Sequence, residues 1–182
     1  MKRILIKSPP RTGKSTLLNK IQNKLRNEGI NYSSCIVNEI LYDDTRRKGF
    51  EMILSSNGCE SNKIILADKT RTDWIPMIGN FHVNLDGIEE LIEWIKRVAT
   101  SSGNVVIFDE IGKMQHLNEN FLESVDLLLK SGKIIIGTLV YDDVEWSLRY
   151  KNDPLNDIIT LDAENRNNLP DELFMKIKTS IQ

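Results

Sequence analysis

The sequence contains only two cysteines, Cys35 and Cys59, which are too few for a disulfide framework and show no metal-ligand spacing. Both lie in or beside apolar segments, so we expect buried free thiols at both positions. No segment approaches the run of about 18 uncharged apolar residues that crosses a membrane, and the N-terminal apolar stretch is too short for a secretory signal. We therefore expect a cytoplasmic chain with no membrane partner.

An excess of charge of one sign is also lacking. The 24 Lys and Arg residues are balanced by 26 Asp and Glu residues, and the formal net charge is −2. This balance gives no general attraction to nucleic acid or anionic membranes, and it argues against a nucleic-acid partner. The 182 residues are 40% hydrophobic and 27% charged. These values are typical of one globular domain with one sizeable core, here residues 1–182.

Apolar strand-like segments alternate with amphipathic helical segments at both ends of the chain. Residues 3–7 predict a strand, and apolar residues at helical spacing over 14–25 predict a helix that residues 27–29 close. Beyond residue 86 we predict, in order, a helix at 86–100, a strand at 104–109, a helix at 118–130, a strand at 133–139, a helix at 142–150, a strand at 157–161 and a helix at 169–181. This alternation predicts parallel βαβ units with helices on both faces of the sheet.

The pattern changes between residues 33 and 84. Short runs of β-branched, aromatic and aliphatic residues are separated there by Gly, Asn, Asp and Ser, and they fall at 35–42, 49–55, 63–68 and 80–85. Runs of this kind predict several strands joined by turns, in a partly antiparallel excursion from the main sheet. Residues 68–78 are predicted to form an exposed loop.

The segment SPPRTGKS, residues 8–15, lies between the first strand and the first helix. A phosphate-binding loop (Walker A motif) requires Gly, four free positions and then Gly-Lys-Ser/Thr. Gly13, Lys14 and Ser15 supply its end, whereas Ser8 replaces the first glycine. Backbone N–H groups within residues 10–15, where Pro10 itself has none, and those of the helix start would bind the β- and γ-phosphates, and Lys14 would neutralise charge on the γ-phosphoryl group. The predicted nucleotide-binding residues of this loop are Pro10, Arg11, Thr12, Gly13, Lys14, Ser15 and Thr16.

Arg11 is unusual in such a loop, and two orientations are open for it. Its side chain either points to solvent or lies over the phosphates as an added positive charge. Ser8 raises a related question, because a Cβ resists a positive φ if the turn requires one.

A second motif occurs at residues 104–114, NVVIFDEIGKM. Four apolar residues, 105–108, lead directly into Asp109 and Glu110. A buried strand that ends in two carboxylates is what a magnesium-nucleotide site needs opposite its phosphate loop (Walker B motif). We predict that Ser15 and Asp109 hold Mg²⁺ and that Glu110 orients an attacking water. Taken alone, the segment could also be a strand followed by an acidic turn.

The sequence DEIGKM at 109–114 resembles the small P-loop nucleoside-triphosphatases first known from thermophiles, also called cancer-related nucleoside-triphosphatases. The phosphate loop is similar to that of the family, but Ser8 and Arg11 replace two family glycines, and Gln115 replaces an acidic residue. The resemblance extends in order over essentially the whole chain through Gly49-Phe50, residues 79–83, Asn165-Arg166 and Leu169-Pro170.

This resemblance implies a three-layer α/β P-loop domain with a mostly parallel sheet, RecA-like or kinase-like. It also implies magnesium-dependent hydrolysis of ATP, GTP and other nucleoside triphosphates with loose base selection. Under it, Glu110 is the water-orienting base, Lys14 a phosphate ligand, and Ser15 and Asp109 the magnesium partners. Lys113 would be an extra charge near the γ-phosphate.

Other positions have two interpretations each. Thr138, at the end of a strand beside the Walker B strand, is either a γ-phosphate sensor or a strand-end cap. Asn165 and Arg166 follow a C-terminal strand and either contact the base or form an exposed loop. Arg46 and Arg47 either supply a charge-stabilising arginine or belong to a solvated basic turn.

Two alternatives to hydrolysis are also open. The phosphate loop does not distinguish transfer to water from transfer to a hydroxyl group, so a nucleoside or nucleotide kinase is the first, with an acceptor site within residues 42–78. The second is a nucleotide-binding switch with little intrinsic turnover. The intact set of Lys14, Ser15, Asp109 and Glu110 favours turnover.

Overall fold

A computed structural model describes residues 3–43, 45–56 and 62–181. Strands and helices alternate through it, with one 3₁₀ turn at Gln115–Leu117. The strands are β1 (Arg3–Lys7), β2 (Tyr32–Leu41), β3 (Arg47–Ser55), β4 (Asn62–Asp68), β5 (Met77–Ile78), β6 (Phe81–Val83), β7 (Val105–Ile111), β8 (Ile134–Leu139) and β9 (Asp157–Thr160). The helices are α1 (Lys14–Asn27), α2 (Leu85–Thr100), α3 (Phe121–Lys130), α4 (Glu145–Lys151) and α5 (Leu169–Ile181).

The strands form one sheet in the order β5-β6-β4-β3-β2-β7-β8-β1-β9. Strands β2, β7, β8, β1 and β9 are parallel neighbours, whereas β3, β4, β6 and β5 extend the sheet as antiparallel strands. Because the carboxyl ends of parallel strands meet at one edge of a sheet, the segments that follow β1, β7 and β8 converge there. The predicted mostly parallel sheet with an antiparallel excursion is confirmed.

Two apolar cores lie on opposite faces of the sheet, which confirms the three-layer arrangement. In β7, Val105 and Ile107 pack with α1 and α5, whereas Val106 and Phe108 pack with α2 and α3. This alternation follows from the period of two in a strand, and all four side chains are apolar because both faces are covered. Strand β7 is therefore anchored firmly on both sides just before its two carboxylates.

The two-residue strand β5 corrects one sequence prediction. Met77 and Ile78 were expected in an exposed loop, but they pair with His82 and Phe81 of β6 in a short hairpin. Gly79 makes this turn possible because its φ is 60°, in the left-handed region that favours glycine. The first residue of the predicted loop, Asp68, is buried and ends β4, whereas residues 69–76 are not assigned to a strand and Ile75 among them is 81% exposed.

Other boundaries differ by a few residues. The helix predicted at 118–130 begins at Phe121, after the 3₁₀ turn, and the strand predicted to end at Asp109 continues to Ile111. Cys35 is a fully buried free thiol, as expected, whereas Cys59 lies outside the described residues. Within the described part of the chain, no helix is long and apolar enough to cross a membrane.

Candidate nucleotide site

Helix α1 begins immediately after the loop at residues 8–13 and presents an open N-terminus. Its N-cap is Gly13, no side chain caps it, and its first turn contains no acidic residue. The first backbone N–H groups of a helix have no partner within the helix, and the helix dipole adds partial positive charge. The start of α1 is therefore suited to bind an anionic group such as a phosphate.

Lys14 reaches back over the loop. Its Nζ donates to the carbonyl oxygens of Ser8 at 3.0 Å and of Pro9 at 3.4 Å. Thr12 closes the same turn, since its Oγ1 donates to the Pro9 carbonyl at 2.8 Å. The ammonium group is thus held at the mouth of the loop by carbonyl oxygens, where it can move to a phosphate with little rearrangement of the backbone.

Ser8 and Arg11 occupy the two positions where the resembling family has glycine, and the structure separates them. Ser8 is fully buried and is not among the residues with positive φ, so its Cβ is accommodated without backbone strain. Arg11 is exposed and has a φ of 63°, in the left-handed region. Among the described residues, the others with a positive φ are all glycines. The loop therefore needs a left-handed residue at position 11 and not at position 8.

Replacing Arg11 with Gly is expected to stabilise the protein by about 0.5–1 kcal/mol. A left-handed conformation costs a non-glycine residue roughly 1–2 kcal/mol, of which the greater freedom of glycine in the unfolded chain offsets a part. For a chain of this size the unfolding midpoint should rise by about 1–4 °C, measured by calorimetry. Arg11→Ala is the control, because it removes the same charge but keeps the strain. Equal stabilisation by both variants would contradict the backbone explanation.

Asp109 is buried at the end of β7 and is held by two neighbours. Thr138 Oγ1 on β8 donates to its Oδ1 at 2.5 Å, and the Cys35 thiol donates to its carbonyl oxygen at 3.4 Å. Burial raises the pKa of Asp109, while the Thr138 hydrogen bond and the charge of Lys14 oppose the rise. The carboxylate is thereby fixed in one orientation.

Glu110 is partly exposed beside Asp109. Burial, together with the negative charge of Asp109, raises its pKa to about 7, and the charges of Lys14 and Lys113 act in the opposite direction. A carboxyl group with a pKa near neutrality is well suited to accept a proton from water. Such shifts are common at functional sites, because catalysis requires pKa values matched to the working pH.

Glycine at position 112 leaves room for the Glu110 side chain. A Cβ added to Gly112 would lie 2.6 Å from Glu110 Oε1 and 2.9 Å from Gln115 Oε1. Gln115, which replaces the acidic residue of the resembling family, is itself buried against this turn. The absence of a side chain at position 112 therefore sets the position of the Glu110 carboxylate.

One cavity of about 710 Å³ joins the phosphate loop to the end of β7. Of the predicted site residues, its lining includes Pro10, Arg11, Gly13, Lys14, Ser15, Thr16, Asp109, Glu110 and Lys113. Lys113 is paired with Asp142 across the rim, with Nζ and Oδ2 2.5 Å apart. Both halves of the predicted site, which are far apart in the sequence, thus face one space.

Other candidate residues are placed elsewhere. The hydroxyl of Thr138 is fully buried and bonded to Asp109, so a direct γ-phosphate sensor is not what the structure shows; Thr138 positions Asp109 instead. Asn165 is not in the cavity lining, and its side chain bonds the Thr160 carbonyl and the Asp162 N–H. Arg166 is exposed in the same loop, also outside the lining.

Apart from Arg47, one of the two candidates for a charge-stabilising arginine, the sequence analysis did not identify the far wall of the cavity. That wall comes from the antiparallel part of the sheet and from β2, and it consists of Val37, Asn38, Glu39, Arg47, Phe50, Leu66 and Ile78. Arg46 is outside this lining and pairs with Asp43 in an exposed turn. The signal available in the sequence was the alternation of β2, where Val37 and Glu39 fall on one face.

Side chains alone do not form a metal site in the part of the chain that the structure describes. Within the described residues, no group of three or more His, Cys, Asp or Glu side chains is placed to hold a metal ion. The hydroxyl of Ser15 and the carboxylate of Asp109 are oxygen donors of the kind that Mg²⁺ prefers, and magnesium in nucleotide sites uses few protein ligands together with phosphates and waters. These residues therefore fit a magnesium-nucleotide complex.

Comparison with known proteins indicates a nucleoside-triphosphatase family over nearly the whole chain. A family described as NTPase matches residues 3–174. Nucleoside-triphosphatase THEP1 of Thermotoga sp. (strain RQ2) is 34% identical over 182 residues, covering 97% of this chain and 95% of the relative. The protein of the same name from Methanocaldococcus jannaschii is 30% identical over 181 residues, covering 99% of each.

A solved structure is also similar. The crystal structure of THEP1 from the hyperthermophile Aquifex aeolicus superposes with a TM-score of 0.77 and 26% identity, covering 98% of this chain and 99% of that chain. The family match, the relatives and the matching fold each extend over more than nine-tenths of the chain. The chain belongs to this NTPase family and is a nucleoside-triphosphatase.

Proposed function

We propose that this enzyme catalyses magnesium-dependent hydrolysis of the β–γ phosphoanhydride bond of nucleoside triphosphates, with broad tolerance of the base. The observation that carries the proposal is the shared cavity, in which Lys14 and Ser15 of the phosphate loop face Asp109 and Glu110. These four residues supply the groups that phosphoryl transfer requires. They are a cation that binds the phosphates, two partners for the metal and a residue that orients the nucleophile.

Each group has a separate task in this mechanism. The N–H groups at the start of α1 bind the β- and γ-phosphates, and Lys14 exchanges its loop carbonyl partners for phosphate oxygens. Ser15 and Asp109 would hold Mg²⁺, and Thr138 keeps the Asp109 carboxylate oriented toward it. The chemistry that bound Mg²⁺ supplies is neutralisation of the charge that develops on the phosphate oxygens.

Glu110 acts on the nucleophile. Its carboxylate orients a water molecule in line with the γ-phosphorus and accepts a proton from it as the new P–O bond forms. The bond from the γ-phosphorus to the bridging oxygen breaks, and the nucleoside diphosphate leaves. The raised pKa of Glu110 suits this task, and Lys113 adds positive charge at the same rim.

Loose base selection is supported by the placement of the loop after β9. Asn165 and Arg166 were predicted to contact the base, yet the Asn165 amide is already used within its own loop. A site that reads one base needs polar groups free to pair with that base, and those groups make it reject the others. The amide of Asn165 does not meet this requirement.

The test is a panel of ATP, GTP, CTP and UTP, each assayed with and without Mg²⁺ for phosphate release. We expect release from all four with Mg²⁺, rates within about one order of magnitude of each other, and little release after chelation, because discrimination without dedicated polar contacts is modest. Strict preference for one base would contradict the proposed tolerance, and undiminished release after chelation would contradict the role of Mg²⁺.

A second candidate function is phosphoryl transfer to a hydroxyl acceptor. The observation that favours it is the extension of the cavity past Glu110 to Arg47, Phe50 and Ile78, within the region where an acceptor site was predicted. The similar proteins are nucleoside-triphosphatases by name, which favours hydrolysis. Mass spectrometry of the same reactions, with nucleosides and nucleoside monophosphates added, would reveal a phosphorylated product if the second function holds.

A further inference from the structure

The far wall of the cavity carries a positive charge that the mechanism above does not use. Arg47, the first residue of β3, pairs through its Nη2 with Glu39 Oε1 on the neighbouring strand. Its guanidinium carbon lies 5.0 Å from the centre of the Phe50 ring, a cation–π contact. Arg47, Glu39 and Phe50 all line the cavity that contains Lys14 and Glu110.

The hydrogen bonds of this arginine are incomplete. Its Nε is buried and finds no acceptor among the described residues, although the side chain as a whole is 30% exposed. A buried donor without a partner costs free energy, and buried donors are generally satisfied in native proteins. A guanidinium group has five N–H donors in a planar fork that matches carboxylate and phosphate oxygens. Glu39 uses only part of this capacity.

The ion pair between Glu39 and Arg47 lies further along the sheet than the Asp109 carboxylate, the proposed magnesium partner. In the parallel register of β2 and β7, Cys35 is the partner of Phe108, so Val37 on β2 lies level with the carboxylates at the end of β7. Glu39 is two residues further along the same strand, on the same face and about 7 Å away at ~3.4 Å per residue. The Arg47 head group, which pairs with Glu39, is therefore held past the end of β7, in the cavity that Lys14 and Glu110 also line.

We propose that Arg47 contacts the γ-phosphate of the bound nucleotide and stabilises its charge in the transition state, and that Glu39 holds the arginine in the cavity until the phosphate replaces it. This inference rests on the proposed hydrolysis and names an additional catalytic residue for it. An arginine supplied from within the chain performs the same task in other phosphoryl-transfer enzymes. The phosphate carries more negative charge than Glu39 and offers acceptors to the unpaired Nε.

The neighbouring arginine provides a matched comparison. Arg46 precedes Arg47 directly but points into an exposed turn, where it pairs with Asp43, and it does not line the cavity. If the basic segment acted only as a solvated turn, or only through its overall charge, the loss of either arginine would have a similar effect. If Arg47 contacts phosphate, only its loss should matter.

The experiment compares Arg47→Ala, Arg47→Lys and Arg46→Ala in steady-state phosphate release. We expect Arg47→Ala to lower kcat on the order of 10²–10³-fold, as loss of a donor to developing charge typically does, with a smaller change in KM. Arg47→Lys should restore part of the rate, since it keeps the charge but loses the planar fork. Arg46→Ala should match the wild type, and unfolding midpoints of all three verify that they fold.

A second measurement does not depend on turnover. Tight binding of the nucleoside diphosphate with aluminium fluoride, a mimic of the transition state, should be lost in Arg47→Ala while binding of the diphosphate alone is retained. Glu39→Gln should lower KM about 2–5-fold, because it removes a competing exposed ion pair. A merely structural pair would instead make Glu39→Gln and Arg47→Ala equally harmful.

The outcomes separate this inference from the proposed function. Wild-type kcat and fluoride-complex binding in Arg47→Ala would overturn the role of Arg47 and leave hydrolysis intact. An equal loss in Arg46→Ala would also overturn it, because the effect would then be one of general charge. Absence of phosphate release from the wild-type chain with every nucleotide would refute the proposed function itself.

Discussion

Replacing Glu110 with Gln is expected to lower phosphate release by about 10³-fold while nucleoside triphosphate still binds. The amide has nearly the same size as the carboxylate, so the cavity keeps its shape, but it cannot accept a proton from water. Removal of a general base typically costs 10²–10⁴-fold. The raised pKa of Glu110 and its place in the cavity that Lys14 also lines are the grounds on which we propose it as the base. Steady-state phosphate release and direct titration with nucleotide measure the two quantities.

Gly112→Ala provides an independent arm of the same test, because it moves Glu110 without removing it. The added methyl group would meet the Glu110 and Gln115 side chains rather than backbone, so both can shift and the fold should be retained. We expect reduced kcat, nearly unchanged nucleotide affinity and an unfolding midpoint close to that of the wild type. Normal turnover in Glu110→Gln would show that this carboxylate is not the base.

The second large effect is expected for Lys14→Ala, which should lower kcat/KM on the order of 10²–10³-fold. Lys14 is the cation at the mouth of the phosphate loop, and its ammonium group is held by the Ser8 and Pro9 carbonyl oxygens. Without it, the negative charge of the β- and γ-phosphates is no longer balanced within the loop. Both nucleotide affinity and the rate of the chemical step should fall, which isothermal titration and phosphate release would show separately.

Lys20→Ala is the matched control for Lys14→Ala. Lys20 has the same charge and lies on the same helix, but it is exposed and outside the cavity lining. Its loss changes the net charge equally and should leave kcat/KM within about 2-fold, as expected for an exposed surface charge. A comparable loss of activity in both variants would attribute the effect to general electrostatics rather than to a phosphate contact.

The parts of the fold that depend on local pattern could be predicted from the sequence. Buried parallel strands such as β7 are continuous apolar runs, and amphipathic helices repeat their apolar residues at a fixed spacing, so β1, α1, α2 and β8 were recognised. The motif residues of the site could also be predicted, because phosphate binding places narrow chemical demands on a short segment.

The far wall of the cavity could not be predicted in the same way. Glu39 and Arg47 meet because the antiparallel register of β2 and β3 places Leu41 opposite Arg47, with an irregularity at residues 40–41. A register of this kind depends on turn geometry and on burial of one face, not on any motif. The two-residue strand β5 was missed for a related reason, since so short a strand has no periodicity.

Arg11 and Ser8 illustrate the limit of comparison by motif. Both replace glycines of the resembling family, yet only Arg11 adopts the conformation that favours glycine. A sequence motif scores the two replaced glycines alike, whereas the backbone dihedral angles of Ser8 and Arg11 distinguish them. The backbone of the loop is consequently unstrained at position 8, and of the two replaced glycines only the exposed Arg11, which lines the cavity, changes what the loop backbone must adopt.

The place of β1 in the sheet determines when the site can form during synthesis. This strand is made before the other strands of the sheet, but its two neighbours are β8 and β9, the last two to be made. Its backbone N–H and C=O groups can be paired only after residues 134–160 have left the ribosome. Strand β1, which leads into the phosphate loop, therefore has no strand partner at the stage when β2, β3 and β4 can already pair as local hairpins. Competence to bind nucleotide is thus acquired late, and a nascent chain that stalls before β8 lacks it.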